Sequence, residues 1–170
     1  MASVGDVQLL DYLEKRGIKL NNRLNIAVSG GLDTVKYMIS RGGRDFGALP
    51  NKYITYQNNR NPGNTRNNIE IARMLIECAK TTDVDIHTDI QKSFVYACGE
   101  CIPELMEFLI ENGANDWNGA LIRACKRGHV DVVNFLIAKG ATDFDKALRR
   151  AYERKFTNIV EILQKHRPHC

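Results

Sequence analysis

The sequence predicts an all-α fold, a solenoid of about six stacked helix pairs with short connections between the pairs. Three observations predict it. A set of residue types recurs with a period near 27. Within each copy the apolar positions follow helical spacing rather than strand alternation. Glycine and aspartate punctuate the copies at fixed places, as helix ends require.

The repeat is clearest towards the end of the chain. Asp116 to Leu136 is matched 27 residues later by Asp143 to Leu163, and 27 residues earlier by Asp89 to Leu109. Upstream the spacing varies but the columns persist. Leu13, Met38, Leu75, Leu109, Leu136 and Leu163 form one, and Leu10, Val35, Ala72, Met106, Val133 and Val160 a second. Gly17, Gly42, Ala79, Gly113 and Gly140 form a third. Ala27, Ala97, Ala124 and Ala151 form a fourth, and Leu20, Phe46, Ile90, Trp117 and Phe144 a fifth. The units implied are approximately 4–18, 20–43, 44–80, 89–114, 116–141 and 143–166, within one domain spanning 1–170.

Each element follows from its residues. The first unit is a lone second helix, from about Asp6 to Lys15. In the second unit, Leu32 to Ser40 reads as a helix. The third is the least regular, with a poor first helix near Leu49 to Gln57 and a good second one over Ile69 to Ile76. Between these two, residues 58–68 are all polar residues and turn formers, with Arg60 and Arg66 among them. They predict an exposed loop. We read it as a tolerated insertion ahead of a functional one, although functional insertions often sit in such loops. In the fifth unit, Ala120, Leu121, Ala124 and Cys125 fall on one side of a first helix. Val130, Val132, Val133, Phe135, Leu136 and Ile137 give the second helix a broad apolar face. Gly128 suits the tight turn between them, and Gly140 suits a left-handed C-terminal cap. Asp45, Asp89, Asp116 and Asp143 stand just before first helices, where a carboxylate caps free N–H groups and favours the helix dipole. One such pair cannot bury both faces, so neighbours must stack. The last unit is more polar: Arg167 replaces the terminal glycine and Gln164 stands in the column of Ile137.

Gly128 to Ala141, together with Ala120 to Cys125, resembles the two helices of the ankyrin repeat. The resemblance covers about residues 4–166 and is strongest over 90–166. Two departures stand out: no unit begins with Thr-Pro-Leu-His, and the period is near 27 instead of the family's longer one. The resemblance therefore implies a shortened β-hairpin between units, and a non-enzymatic protein–protein interaction module. The Gly-Ala-x-Asp-Phe/Trp punctuation is similar to repeats common in large double-stranded DNA viruses of protists. It implies a viral protein that engages a host factor.

Composition bounds the rest. The chain has 170 residues, 44% hydrophobic and 26% charged, which excludes a disordered or collagen-like chain. No run of about 18 apolar residues is present, so no membrane span is expected. Five cysteines and no signal-like start point to a reducing, intracellular setting, cytoplasmic or nuclear. The net charge is +4, distributed as +5 over residues 1–67, −7 over 68–117 and +6 over 118–170.

Three motifs invite chemistry. Ser29-Gly30-Gly31-Leu32-Asp33-Thr34 resembles the phosphate-gripping loop of ATP pyrophosphatases, with Leu24 to Val28 as its strand and backbone N–H groups holding phosphate. The same residues fit the repeat register, and no further βαβ pattern follows to supply a parallel sheet, so ATP binding is the alternative and not the main reading. Cys98-Gly99-Glu100-Cys101 is a lone Cys-x-x-Cys. A structural zinc site wants four ligands, and Cys98 shares a packing column with Cys125. No metal and no cofactor is expected. His129 follows the turn glycine and is expected to be structural. No nucleophile, base and acid share a helix face, so no enzyme is expected.

The basic residues remain. Arg123, Lys126 and Arg127 share a first helix, and Arg149, Arg150 and Arg154 lie near the matching positions one unit later. Glu153, Gly99 and Glu100 belong to the same columns, and Gln91, Lys92 and Tyr96 extend the row upstream. The resemblance implies that this concave row binds the partner. A solvated polar face that keeps the helices in solution is the competing reading. If the row is functional, an acidic protein surface is the leading partner. Nucleic acid comes second, because the acidic middle segment would repel phosphates.

Overall fold

The protein is described from a computed structural model, over residues 4–17, 32–40, 65–81 and 85–167. The chain divides into two compact units, Met1–Asp89 and Ile90–Cys170. Among the described residues every regular element is a helix.

The first unit contains α1 (Val4–Lys15), α2 (Leu32–Ser40) and α3 (Thr65–Thr81). Helix α2 packs against both others. Its Val35 and Met38 are buried, as are Ile71, Ala72, Leu75 and Ile76 of α3. Val35, Met38, Ala72 and Leu75 are the residues that the apolar columns pick out; Leu10 of α1 is half-buried. The Tyr37 hydroxyl donates to Asp11 across the α1–α2 contact at 3.4 Å. One expectation changes. Helix α3 begins at Thr65, so residues 65–68 of the expected 58–68 loop are helical. The polar Thr-Arg-Asn-Asn start continues the amphipathic spacing of the apolar residues after it, and a first turn needs no buried face. Residues 58–64, the helix expected near 49–57, and Asp45 lie outside the described residues.

The second unit is built almost entirely from three helix pairs. These are α4 (His87–Gly99) with α5 (Pro103–Glu111), α6 (Trp117–Arg127) with α7 (Val130–Ala138), and α8 (Phe144–Glu153) with α9 (Thr157–His166). Each pair turns in the same way. The carbonyls of Ala97, Ala124 and Ala151 accept from the N–H groups of Ile102, His129 and Phe156 at 3.0, 3.2 and 3.0 Å. The residue before each donor has positive φ: Cys101 at 53°, Gly128 at 87° and Lys155 at 62°. The three alanines are fully buried, because a larger side chain would hold neighbouring helices apart. Phe94 of α4 meets Trp117 of α6 edge-on, with ring centroids 5.3 Å apart. Helix α6 packs against α7 and α8, and α9 against α7 and α8.

The connections between pairs are five residues long, 112–116 and 139–143, with no strand in either. One side chain per pair holds them. Gln91 Oε1 accepts from the Asn115 and Asp116 N–H groups, both at 2.9 Å, and its Nε2 donates to the Gly113 carbonyl at 3.0 Å. One period later, Asn118 Oδ1 accepts from the Thr142 and Asp143 N–H groups at 2.7 and 3.0 Å. At the next equivalent position Asp145 pairs with Arg167 at 2.9 Å. These bonds satisfy backbone groups that a longer hairpin would pair with itself. Gln91 is therefore a structural clip.

The caps follow the sequence in part. Asp116 accepts from the Gly119 N–H at 2.8 Å. Asp143 makes no such bond and instead pairs with Lys146 at 2.7 Å. Asp89 lies inside the first turn of α4, which starts earlier than its column implies. There Asp85 accepts from the His87 N–H at 2.9 Å.

Candidate functional site

The described residues of the basic row gather where α4, α6 and α8 end. Arg123 is set first. Its aliphatic stem lies on Gly99, where an added Cβ would sit 2.5 Å from Arg123 Cγ. Only glycine permits that approach. The guanidinium carbon then stands 5.4 Å from the centre of the Tyr96 ring, a cation–π distance. Glu100 approaches the same guanidinium at 3.6 Å and that of Arg127 at 2.7 Å. A single carboxylate thus positions two arginines, with 24% of its side chain exposed. His129 Nε2 lies 3.0 Å from the Gly99 carbonyl, which can only accept, so Nε2 donates. His129 is structural in this sense: it ties the start of α7 to the end of α4.

Arg123, Lys126, Arg127, Arg154 and Phe156 line an open cleft of about 430 Å³. Phe156 supplies its apolar wall. An added Cβ on Gly128 would lie 2.8 Å from the tip of the Phe156 ring. Lys126 and Arg154 make no ion pair among the described residues. On the solvent side of α8, Glu153 pairs with Arg150 at 2.9 Å and approaches Arg149 at 4.0 Å. The Arg150 hydrogen bond holds the Glu153 carboxyl below its ordinary value, with the Arg150, Arg149 and Lys126 charges adding to it against desolvation.

Four of the residues expected in the binding row, Arg123, Lys126, Arg127 and Arg154, therefore share one cleft. Arg149, Arg150 and Glu153 form an adjoining ion-pair cluster. Lys92 is exposed on α4, one turn before Tyr96, and joins neither group. Tyr96 differs from expectation: it is only 4% exposed, so it supports Arg123 from beneath and presents no surface of its own. Burial raises its phenol's pKa, Glu100 adds to the rise, and Arg123 and Arg127 oppose it. Phe156 escaped sequence reasoning because its column holds Ile102 and His129, a turn position with no shared chemistry. Glu100 was visible as a column member, but its role as a bridge needed the distances.

Of the alternative nucleotide loop, Ser29, Gly30 and Gly31 lie outside the described residues. Asp33 is exposed, whereas Thr34 is 3% exposed and turned into the packing of α2. Cys98 and Cys125 are both fully buried at equivalent positions, and Cys101 is exposed.

A family model described as "Ankyrin repeats (3 copies)" matches residues 63–147 and 94–170, together more than half of the chain. The chain belongs to the ankyrin-repeat family. No curated protein and no solved structure matches it. Ankyrin repeats are in general protein–protein interaction modules and not enzymes. Among the described residues no helix is long and apolar enough to cross a membrane.

Proposed function

We propose that this ankyrin-repeat protein is a non-enzymatic scaffold, with about six repeat units assigned to a single domain, 1–170. It captures a partner protein through the row that contains Arg123, Lys126, Arg127, Arg149, Arg150, Glu153 and Arg154. The observation that carries this reading is the cleft at the ends of consecutive first helices, where two cations, Lys126 and Arg154, make no ion pair among the described residues. Among the described residues the six basic side chains of the row pair with two carboxylates, Glu100 and Glu153, which favours an acidic partner surface. Such charges set orientation and association rate more than raw affinity. Arg123 and Arg127 are held before binding by Gly99, Tyr96 and Glu100, which reduces the ordering cost of association. The proposed setting is intracellular, cytoplasmic or nuclear. The punctuation shared with viral repeats favours a viral protein that meets a host factor.

The test is capture from native cell extract followed by mass spectrometry, run beside the double variant Lys126→Glu, Arg154→Glu. Both residues are exposed, so the variant is expected to keep its melting temperature and lose the partner. Equal capture by variant and wild type would overturn the reading. A nucleic-acid partner would show itself by affinity falling steeply with salt. Saturable ATP-Mg binding lost in Asp33→Ala would favour the Ser29–Thr34 loop instead.

A further inference from the structure

We propose that the cleft between Lys126-Arg127 and Arg154 is a phosphoryl-group site, and that it takes a phosphorylated side chain of a partner peptide. The proposal rests on the protein-binding reading above and names the chemistry that the cleft selects. Four cations line it, and Glu100 is the carboxylate paired with two of them. One incoming carboxylate would leave most of that charge uncompensated. A phosphoserine or phosphothreonine brings about −1.5 to −2 charges and three acceptor oxygens.

The donors are suited to it. Guanidinium groups offer planar forks that match phosphate oxygens two at a time. Arg127 is oriented by its 2.7 Å pair with Glu100, and Arg123 by the Gly99 seat and the Tyr96 ring. Arg123 Nε itself is buried against Gly99, which leaves the outer guanidinium nitrogens to face a ligand. Lys126 and Arg154, both exposed, supply further charge from α6 and from the end of α8.

Size separates a peptide from a bare ion. About 430 Å³ is in the range that holds a group much larger than phosphate. It accommodates a phosphorylated side chain with its flanking backbone. The Phe156 ring is half-buried with its tip against Gly128. It forms an apolar wall and not a free platform for stacking a base, which favours peptide over nucleic acid.

The experiment uses the full chain labelled with nitrogen-15. The probes are an octapeptide of Gly and Ser with one central phosphoserine, its unphosphorylated form, its Glu form, inorganic phosphate and a single-stranded oligonucleotide. The phosphopeptide is expected to bind at least tenfold more tightly than the unphosphorylated and Glu forms. Its amide shifts should centre on residues 126–129 and 154–157, and inorganic phosphate should compete. Arg154→Ala should lose at least tenfold in affinity, while Lys165→Ala, on α9 and outside the cleft, should lose none. Equal binding of the three peptides, shifts spread over the whole basic surface, or tighter binding of the oligonucleotide would each overturn the proposal. If the Lys126→Glu, Arg154→Glu variant loses its cellular partner while peptide phosphorylation makes no difference, the scaffold reading stands and the phosphoryl site falls.

Discussion

Glu153 shows how a single carboxylate on this surface is governed by its neighbours. Its folded-state pKa lies below the unfolded one, chiefly through the hydrogen bond from Arg150. A depressed acid contributes stability that is present above its unfolded pKa and lost as pH falls through the folded value. The contribution is small here because the pair is solvated. Carboxyl NMR titration should therefore place the Glu153 midpoint below the ordinary glutamate range, and Arg150→Ala should move it upward. An unchanged midpoint in the variant would show that the 2.9 Å pair does not persist in solution. The cysteines divide just as sharply. Burial pushes the Cys98 and Cys125 thiols up to about 12, with Cys101 adding to the rise at Cys98. At pH 8 only about one such thiol in ten thousand is ionised, and the thiolate is the nucleophile. Iodoacetamide followed by mass spectrometry should label the exposed Cys101 quickly and reach Cys98 and Cys125 only after denaturation. Rapid native labelling of Cys125 would mean that α6 opens far more often than its packing implies.

The pair of helices is the unit in which the sequence was most readable. Glycine at 128 announced a turn, and the structure places a left-handed residue there. The equivalent residues Cys101 and Lys155 adopt the same conformation without being glycine, which only coordinates or the register itself could reveal. A non-glycine residue in that region is strained by roughly 1–2 kcal/mol, whereas glycine loses more freedom on folding. Lys155→Gly should therefore stabilise the protein by up to about 1 kcal/mol, measured by urea denaturation. Gly128→Ala should destabilise it by more than about 1 kcal/mol, since the Phe156 ring must also shift. The connections were less legible. The short period implied that a hairpin was missing, but nothing in Gln91 or Asn118 as residue types marked them as clips. Their function depends on backbone groups 22 to 25 residues away. Gln91→Ala removes three hydrogen bonds and should cost about 1–3 kcal/mol, less than their sum because water can replace part of them. Of the expected caps, Asp116 forms its bond and Asp143 does not, for a related reason. Aspartate fits several roles near a helix start, and Lys146 was available to draw Asp143 away from the backbone.

Across the whole second unit, Ile90–Cys170, stability depends on neighbours, since each pair is sealed by the next. The leucine and valine columns predicted this core correctly: Leu109, Leu136 and Leu163 are fully buried, as is Val133, and Leu121 is buried on the predicted side of its first helix. The binding row was legible as a set of charges and illegible as a cleft. Its geometry depends on an exact stem-to-glycine approach at Gly99, and on Tyr96 turning inward, and periodicity specifies neither. Position in the stack should also decide how far damage spreads. Leu121 belongs to the middle pair and Leu163 to the last, yet both are fully buried leucines. Leu→Ala at either site removes the same methyl groups and should cost about 2–5 kcal/mol. In a linear array the energy is divided among intrinsic terms and nearest-neighbour interfaces. Leu163→Ala should therefore weaken amide protection mainly in α8 and α9, leaving α4 and α5 close to their wild-type exchange rates. Leu121→Ala strikes the pair that both neighbours lean on, so protection should fall throughout α4 to α9. Native-state hydrogen exchange resolved by helix distinguishes the two patterns. Uniform loss of protection in both variants would mean that the unit unfolds as one cooperative block, and that the repeats do not act as separable energetic units.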